Sequence, residues 1–134
     1  HMVDYIVCSH DFAEEYTKKK IDYNDMRTLI EIYDDLKKDF SQKIIITLED
    51  KGCFTYENGY KMVPSIKVEA VDSTGAGDIF HGAFTYCIAN DYDIITTMRM
   101  SNIAGALSVT KVGGRFSIFP LKEVKKKYDE LTLS

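Results

Sequence analysis

The sequence predicts an α/β protein, a three-layer αβα arrangement around a mostly parallel sheet. Two observations carry this expectation. Residues 43–48, KIIITL, are continuously apolar and β-branched, the pattern of a strand covered on both faces. Short runs of this kind also alternate with longer segments of helical period, and such alternation implies helices layered on a sheet. The chain has 134 residues, 45% of them hydrophobic, so it fits one domain and can bury a core rather than stay disordered.

The elements follow in order. His1-Met2 reads as a cloning remnant, which leaves residues 3–134 as the domain. Residues 4–9, DYIVCS, predict a short strand, and residues 10–20 a polar helix. Asn24 can cap a second helix that carries Leu29, Ile32, Tyr33 and Leu36 on one face. After KIIITL, residues 52–61 predict a β-hairpin, because Asn58-Gly59 supplies the positive φ angles of a tight two-residue turn. Residues 66–71 predict another short strand. Residues 75–90 predict a helix with Ile79, Ala83, Phe84, Cys87 and Ile88 on its apolar positions. A small-residue helix is expected over 93–111, ended by Gly113-Gly114. Pro120 opens a last charged helix to about Leu131.

Charge and cysteine usage exclude several function classes. The net charge of −4 argues against a general nucleic-acid binder, which needs surplus Lys and Arg for phosphates. The lysine runs at 18–20 and 125–127 read as solvated helix faces. Cys8, Cys53 and Cys87 are odd in number and form no CxxC pair, which fits free thiols in a reducing cytoplasmic setting better than a disulfide framework or zinc site. No signal peptide opens the sequence and no apolar run spans a membrane, so neither membrane nor nucleic acid is an expected partner.

The chemistry concentrates at residues 71–84, VDSTGAGDIFHGAF. A strand is expected to run into this turn and an apolar helix out of it. Gly75 and Gly77 let backbone N–H groups approach a ligand with no Cβ in the way. Those groups lie at a helix N-terminus, where the dipole favours an anion such as a phosphate. Asp78 stands in the first helical turn beside that position and can accept a proton from a hydroxyl. Two other glycine motifs fail. A dinucleotide fingerprint from Gly75 needs glycine where Phe80 stands, and a P-loop from Gly77 needs lysine where Ala83 stands. His81 lies three residues after Asp78 on a neighbouring helix face and reads chiefly as structural.

DSTGAGD followed by IFHGAF resembles the C-terminal signature of the ribokinase-like (PfkB) carbohydrate kinases. The resemblance implies transfer of the γ-phosphoryl of ATP, with Mg²⁺, to a hydroxyl of a sugar or nucleoside. It implies that Gly75, Ala76 and Gly77 form the anion hole and that Asp78 is the catalytic base. Residues 46–56, ITLEDKGCFTY, are similar to the family's nucleotide-binding strand and turn. Thr47 and Gly52 match there, and Glu49 replaces a usual glycine. Residues 101–114 resemble the helix and loop bordering adenine, with Asn102 at a nucleotide-contacting position. Asp72, Thr74 and the 108–117 loop are similar to the monovalent-cation site of some members. Ser108, Lys111 and Gly113 would act there through carbonyls, with Ser117 at the end of the loop. An ordinary surface loop stands beside that potassium reading, because carbonyl ligands leave little trace in side-chain identity. The family's Asn-x-x-Glu is replaced by Ser9-His10-Asp11-Phe12, with Ser9 and Phe12 on the two motif positions. Asp11, Glu14 and Glu15 follow, which could compensate for that motif's role at phosphate and Mg²⁺ but read first as a solvated, acidic helix start.

The resemblance covers the second half of such a kinase. The acceptor-binding half and the β-sheet lid have no counterpart here, so weak activity in isolation is expected. Self-association, as a homodimer over the uncovered sheet edge, is also expected. A nucleoside kinase of the same family, and a non-catalytic nucleotide-binding or interaction module, are the alternatives.

Overall fold

In a computed structural model, the protein is described over residues 5–68, 76–108 and 121–133. It divides into two compact units, His1–Met62 and Val63–Ser134.

The first unit begins with β1 (Tyr5–Ser9), α1 (His10–Thr17), α2 (Met26–Asp39) and β2 (Lys43–Thr47). A short turn then leads to β3 (Cys53–Tyr56) and β4 (Tyr60–Val63). The strands lie in one sheet in the order β1-β2-β3-β4. β1 and β2 are parallel, with Tyr5 opposite Lys43 and Ser9 opposite Thr47. β2 and β3 are antiparallel, with Ile46 opposite Phe54. The described sheet is therefore mixed, and the expected mostly parallel sheet is corrected. Chain length between strands decides this. Parallel neighbours need a crossover, which α1 and α2 provide between β1 and β2. A link of a few residues between β2 and β3, and three between β3 and β4, permits only reversal of direction.

The Asn58-Gly59 turn forms as its sequence predicts, with φ of 54° and 120° and the Glu57 amide donating to the Gly59 carbonyl at 2.9 Å. Ile44, Ile45 and Ile46 are all buried, so the doubly covered reading of β2 holds. Ile44, Ile46 and Phe54 join Cys8, Ala13, Leu29, Ile32, Tyr33 and Leu36 in one core beneath α1 and α2. The apolar stripe expected on α2 is the stripe that is buried.

Three boundaries differ from expectation. The cap of α2 is Asp25, not Asn24. Its carboxylate accepts from the Arg27 amide at 3.1 Å and pairs with the Arg27 guanidinium at 3.0 Å. α1 stops at Thr17, because Lys18 turns left-handed at φ 60° and its amide donates to the Glu14 carbonyl. Residues 64–68 carry no strand, so the strand expected over 66–71 is absent in its described part, and the rest lies outside the described residues.

The second unit holds α3 (Ala76–Ala89), α4 (Ile94–Ser108) and α5 (Leu121–Leu133). Ile79, Ala83 and Cys87 of α3 pack with Met100, Ile103 and Ala104 of α4 and Val124 of α5. Between α3 and α4 the chain turns through a Schellman motif. The Tyr92 amide donates to the Cys87 carbonyl at 3.0 Å and the Asp91 amide to the Ile88 carbonyl at 3.1 Å, with Asp91 at φ 61°.

Asp93 then caps α4. Its carboxylate accepts from the Thr96 amide at 2.8 Å and the Thr96 hydroxyl at 2.9 Å. Those bonds, the amide bond first, hold its carboxyl below the ordinary aspartate range. A depressed folded value means that the cap stabilises above the unfolded pKa and is lost as pH falls through the folded one. Asp93→Ala is expected to lower stability by about 1 kcal/mol at neutral pH. The gap should narrow below about pH 4, where the unfolded carboxyl begins to protonate. Urea melts of both proteins at several pH values check this, and a gap that widens in acid would contradict it.

Candidate functional site

The parallel pairing of β1 and β2 brings their carboxyl ends side by side, with Ser9 opposite Thr47. Crevices at the carboxyl ends of strands are where open α/β sheets bind ligands. Ser9 caps α1, its hydroxyl accepting from the Phe12 amide at 3.2 Å. Its proton stays available to donate to an anion. Thr47 is differently placed, since its hydroxyl donates to the Cys8 carbonyl at 3.3 Å. That bond uses its one donor and leaves only acceptor capacity.

The turn after β2 holds the other residues predicted from this segment. Glu49 opens a short 3₁₀ turn at φ 56°, a left-handed conformation that glycine adopts at least cost. That conformation fits the glycine that the resemblance expects at this position. Gly52 closes the turn at φ 112°, ψ −138°, and the Leu48 amide donates to its carbonyl at 2.8 Å. That region is essentially restricted to glycine. Gly52→Ala is expected to cost about 1–3 kcal/mol of stability, read as a lower urea midpoint. An unchanged midpoint would show that the turn has another conformation.

In the second unit, Gly77 and Asp78 lie in the first turn of α3 and are both exposed. A Cβ built at Gly77 meets nothing within 4 Å, so among the described residues no side chain fills the space that the missing one opens. The helix start thus presents small residues, backbone N–H groups and one carboxylate together, a set suited to an anion and a proton donor. His81 is exposed on the next turn, its ring 6.4 Å from that of Phe80. Ala76 begins the helix, but its side chain and Gly75 lie outside the described residues.

Asn102 is 5% exposed on α4. Its amide nitrogen donates to the Val63 carbonyl at 2.9 Å and the Pro64 carbonyl at 3.4 Å. Its backbone carbonyl accepts from Ser65 at 3.5 Å. The side chain therefore pins the segment leaving β4 onto α4, a structural task that the sequence did not reveal. The cation-site residues Asp72, Thr74, Lys111, Gly113 and Ser117, and the side chain of Ser108, lie outside the described residues.

Sequence reasoning missed His10. Its Nε2 is 3.1 Å from Glu49 Oε1, and its Nδ1 is 3.4 Å from Asp11 Oδ1. The imidazole so bridges the start of α1 to the turn after β2. The only signal was a histidine directly after a strand end, opposite a glutamate at a glycine position.

The pfkB family carbohydrate kinase profile matches residues 1–120. The chain belongs to the pfkB family of carbohydrate kinases. It is 31% identical over 125 residues to the ribokinase of Lactococcus lactis, covering 92% of this chain and 41% of that protein. Among solved structures, a candidate ribokinase of Agrobacterium tumefaciens matches with a TM-score of 0.83 at 25% identity, over 97% of this chain and 42% of that one. A candidate ribokinase II of Escherichia coli, solved with ATP and Mg²⁺, matches with a TM-score of 0.72 at 25% identity, over 95% of this chain and 39% of that one. The chain thus spans about two fifths of the relatives it matches. Among the described residues no helix is long and apolar enough to cross a membrane.

Proposed function

We propose that this chain is the C-terminal, nucleotide-handling part of an ATP-dependent kinase that phosphorylates a sugar hydroxyl, with Asp78 as general base. The observation that carries the reading is the start of α3, where an exposed carboxylate follows a glycine whose missing side chain leaves open space. ATP with Mg²⁺ supplies the phosphoryl group and neutralises its charge. Asp78 takes the proton from the acceptor hydroxyl as that oxygen attacks. Gly75, Ala76 and Gly77 direct backbone N–H groups at the charge developing on the transferred phosphoryl. Ser9 donates its hydroxyl proton to a phosphate oxygen, while Thr47, Glu49 and Gly52 shape the turn beside the nucleotide. Asn102 borders the base by holding the chain that leaves β4. Potassium, held by carbonyls of the 108–117 loop with Asp72 and Thr74, belongs to this proposal as well.

Phosphoryl transfer rests mainly on positioning. The chain alone is therefore expected to bind nucleotide and turn over poorly, self-associating through its uncovered sheet edge. Full turnover belongs to a polypeptide that also carries the acceptor-binding half. The test is an NMR titration of the chain with ATP and Mg²⁺. Shifts should centre on residues 47–52, 75–78, 102 and 113–114. Shifts confined to α5 would overturn the proposal.

A further inference from the structure

The start of α1 gathers donors that the kinase reading leaves unused. One donor atom each from His10, Asp11 and Glu14 lies within 4.8 Å of the others. None of the three stands at Ser9 or Phe12, the positions corresponding to the family's Asn-x-x-Glu. We propose that His10, Asp11 and Glu14 form a binding site for a borderline-soft divalent cation of the zinc type, held by one imidazole nitrogen and two carboxylates.

Three observations support the assignment. The first is spacing. Two ligands of a tetrahedral ion with bonds of about 2.0–2.1 Å stand roughly 3.3–3.4 Å apart. His10 Nδ1 and Asp11 Oδ1 are 3.4 Å apart before any ion is considered. Glu14 receives the Ile21 amide on Oε2 at 2.8 Å, which anchors its carboxylate and leaves Oε1 for an ion.

The second is the far side of the ring. Glu49 Oε1 lies 3.1 Å from His10 Nε2. A carboxylate there fixes the ring and the tautomer that presents Nδ1 as a lone pair, as outer partners of metal-bound histidines do. Glu49 reaches it from a left-handed backbone conformation that favours glycine.

The third is charge. The start of α1 and the turn after β2 carry the carboxylates of Asp11, Glu14, Glu49 and Asp50. Among the described residues none of the four forms an ion pair with a lysine or arginine. The nearby Lys51 ammonium instead sits 5.0 Å from the centre of the Tyr23 ring. A divalent ion would supply these carboxylates with counter-charge beyond that of Lys18 and Lys20, which line the same cleft as Asp11 and Glu14. An imidazole ligand selects zinc, cobalt or nickel over magnesium, which prefers oxygen donors and water. Three protein ligands leave a fourth position for water.

The site does not depend on the kinase reading, and it is tested without nucleotide. Zn²⁺ alone is titrated into the chain by calorimetry, with Mg²⁺ in large excess. His1→Ala serves as the background so that the terminal imidazole contributes nothing. One saturable equivalent is expected. His10→Gln and Asp11→Asn should each weaken it at least about tenfold, and Glu49→Gln by about tenfold through the outer contact. In the background protein, Co²⁺ should produce paramagnetic shifts centred on residues 10–14. Absence of saturable binding, equal affinity in His10→Gln, displacement by Mg²⁺, or shifts centred on the cysteines or His81 would each overturn the proposal.

Discussion

Asp78→Asn in the complete enzyme is expected to lower kcat by roughly 10²–10⁴-fold, the usual worth of a positioned acid–base group. The side chain is exposed in the first turn of α3, and the change is nearly isosteric, so the fold should be kept. ATP affinity should stay level or rise slightly, since a negative charge beside the γ-phosphate is removed. Gly77→Ala separates binding from folding at the same place. Among the described residues an added Cβ meets nothing within 4 Å, and alanine suits a helix better than glycine by about 0.5–1 kcal/mol. The melting temperature should therefore hold or rise while ATP binding weakens, because the methyl group occupies the phosphate's approach. Steady-state kinetics and ATP titration of both variants decide the matter. Near-normal turnover of Asp78→Asn would remove the proposed base.

Phe54→Ala is expected to destabilise the protein by about 3–5 kcal/mol, enough to unfold much of a marginally stable chain at room temperature. Phe54 is 1% exposed. Its ring meets the edge of Tyr33 at 5.8 Å and stacks on Tyr60 at 6.0 Å. Removing it opens a cavity where β3, α2 and the hairpin meet, and Tyr60 cannot simply fall inward. Its hydroxyl donates to Asp34 at 2.6 Å, a bond that pushes the phenol up to about 12. Urea unfolding followed by circular dichroism gives the measurement. A loss under 1 kcal/mol would mean that the hairpin contributes little to this core.

The elements most legible in the sequence were those whose signal is local. KIIITL, the α2 stripe and Asn58-Gly59 each state burial or turn geometry within a few residues. The sheet's mixed direction is not written in any one strand. It follows from link lengths, since only the β1–β2 connection is long enough for a parallel crossover. At the candidate site, Asp78 and Gly77 were readable because a helix start needs few residues to define it. The His10–Glu49 contact was not, because it joins residues 39 positions apart that only the parallel pairing of β1 and β2 brings together. Asn102 was placed by resemblance, yet its bonds to Val63 and Pro64 depend on where β4 ends, which no spacing rule gives.

The three buried cysteines supply a built-in clock. Cys8 and Cys53 lie buried in the first unit and Cys87 in the second. Burial pushes Cys8 and Cys87 up to about 11, so on the order of one such group in ten thousand is thiolate at pH 7. A sulfhydryl reagent therefore waits for the backbone to open before it reacts. Each labelling rate times the breathing of the strand or helix that shelters its sulfur, and mass spectrometry can read the halves of the chain separately.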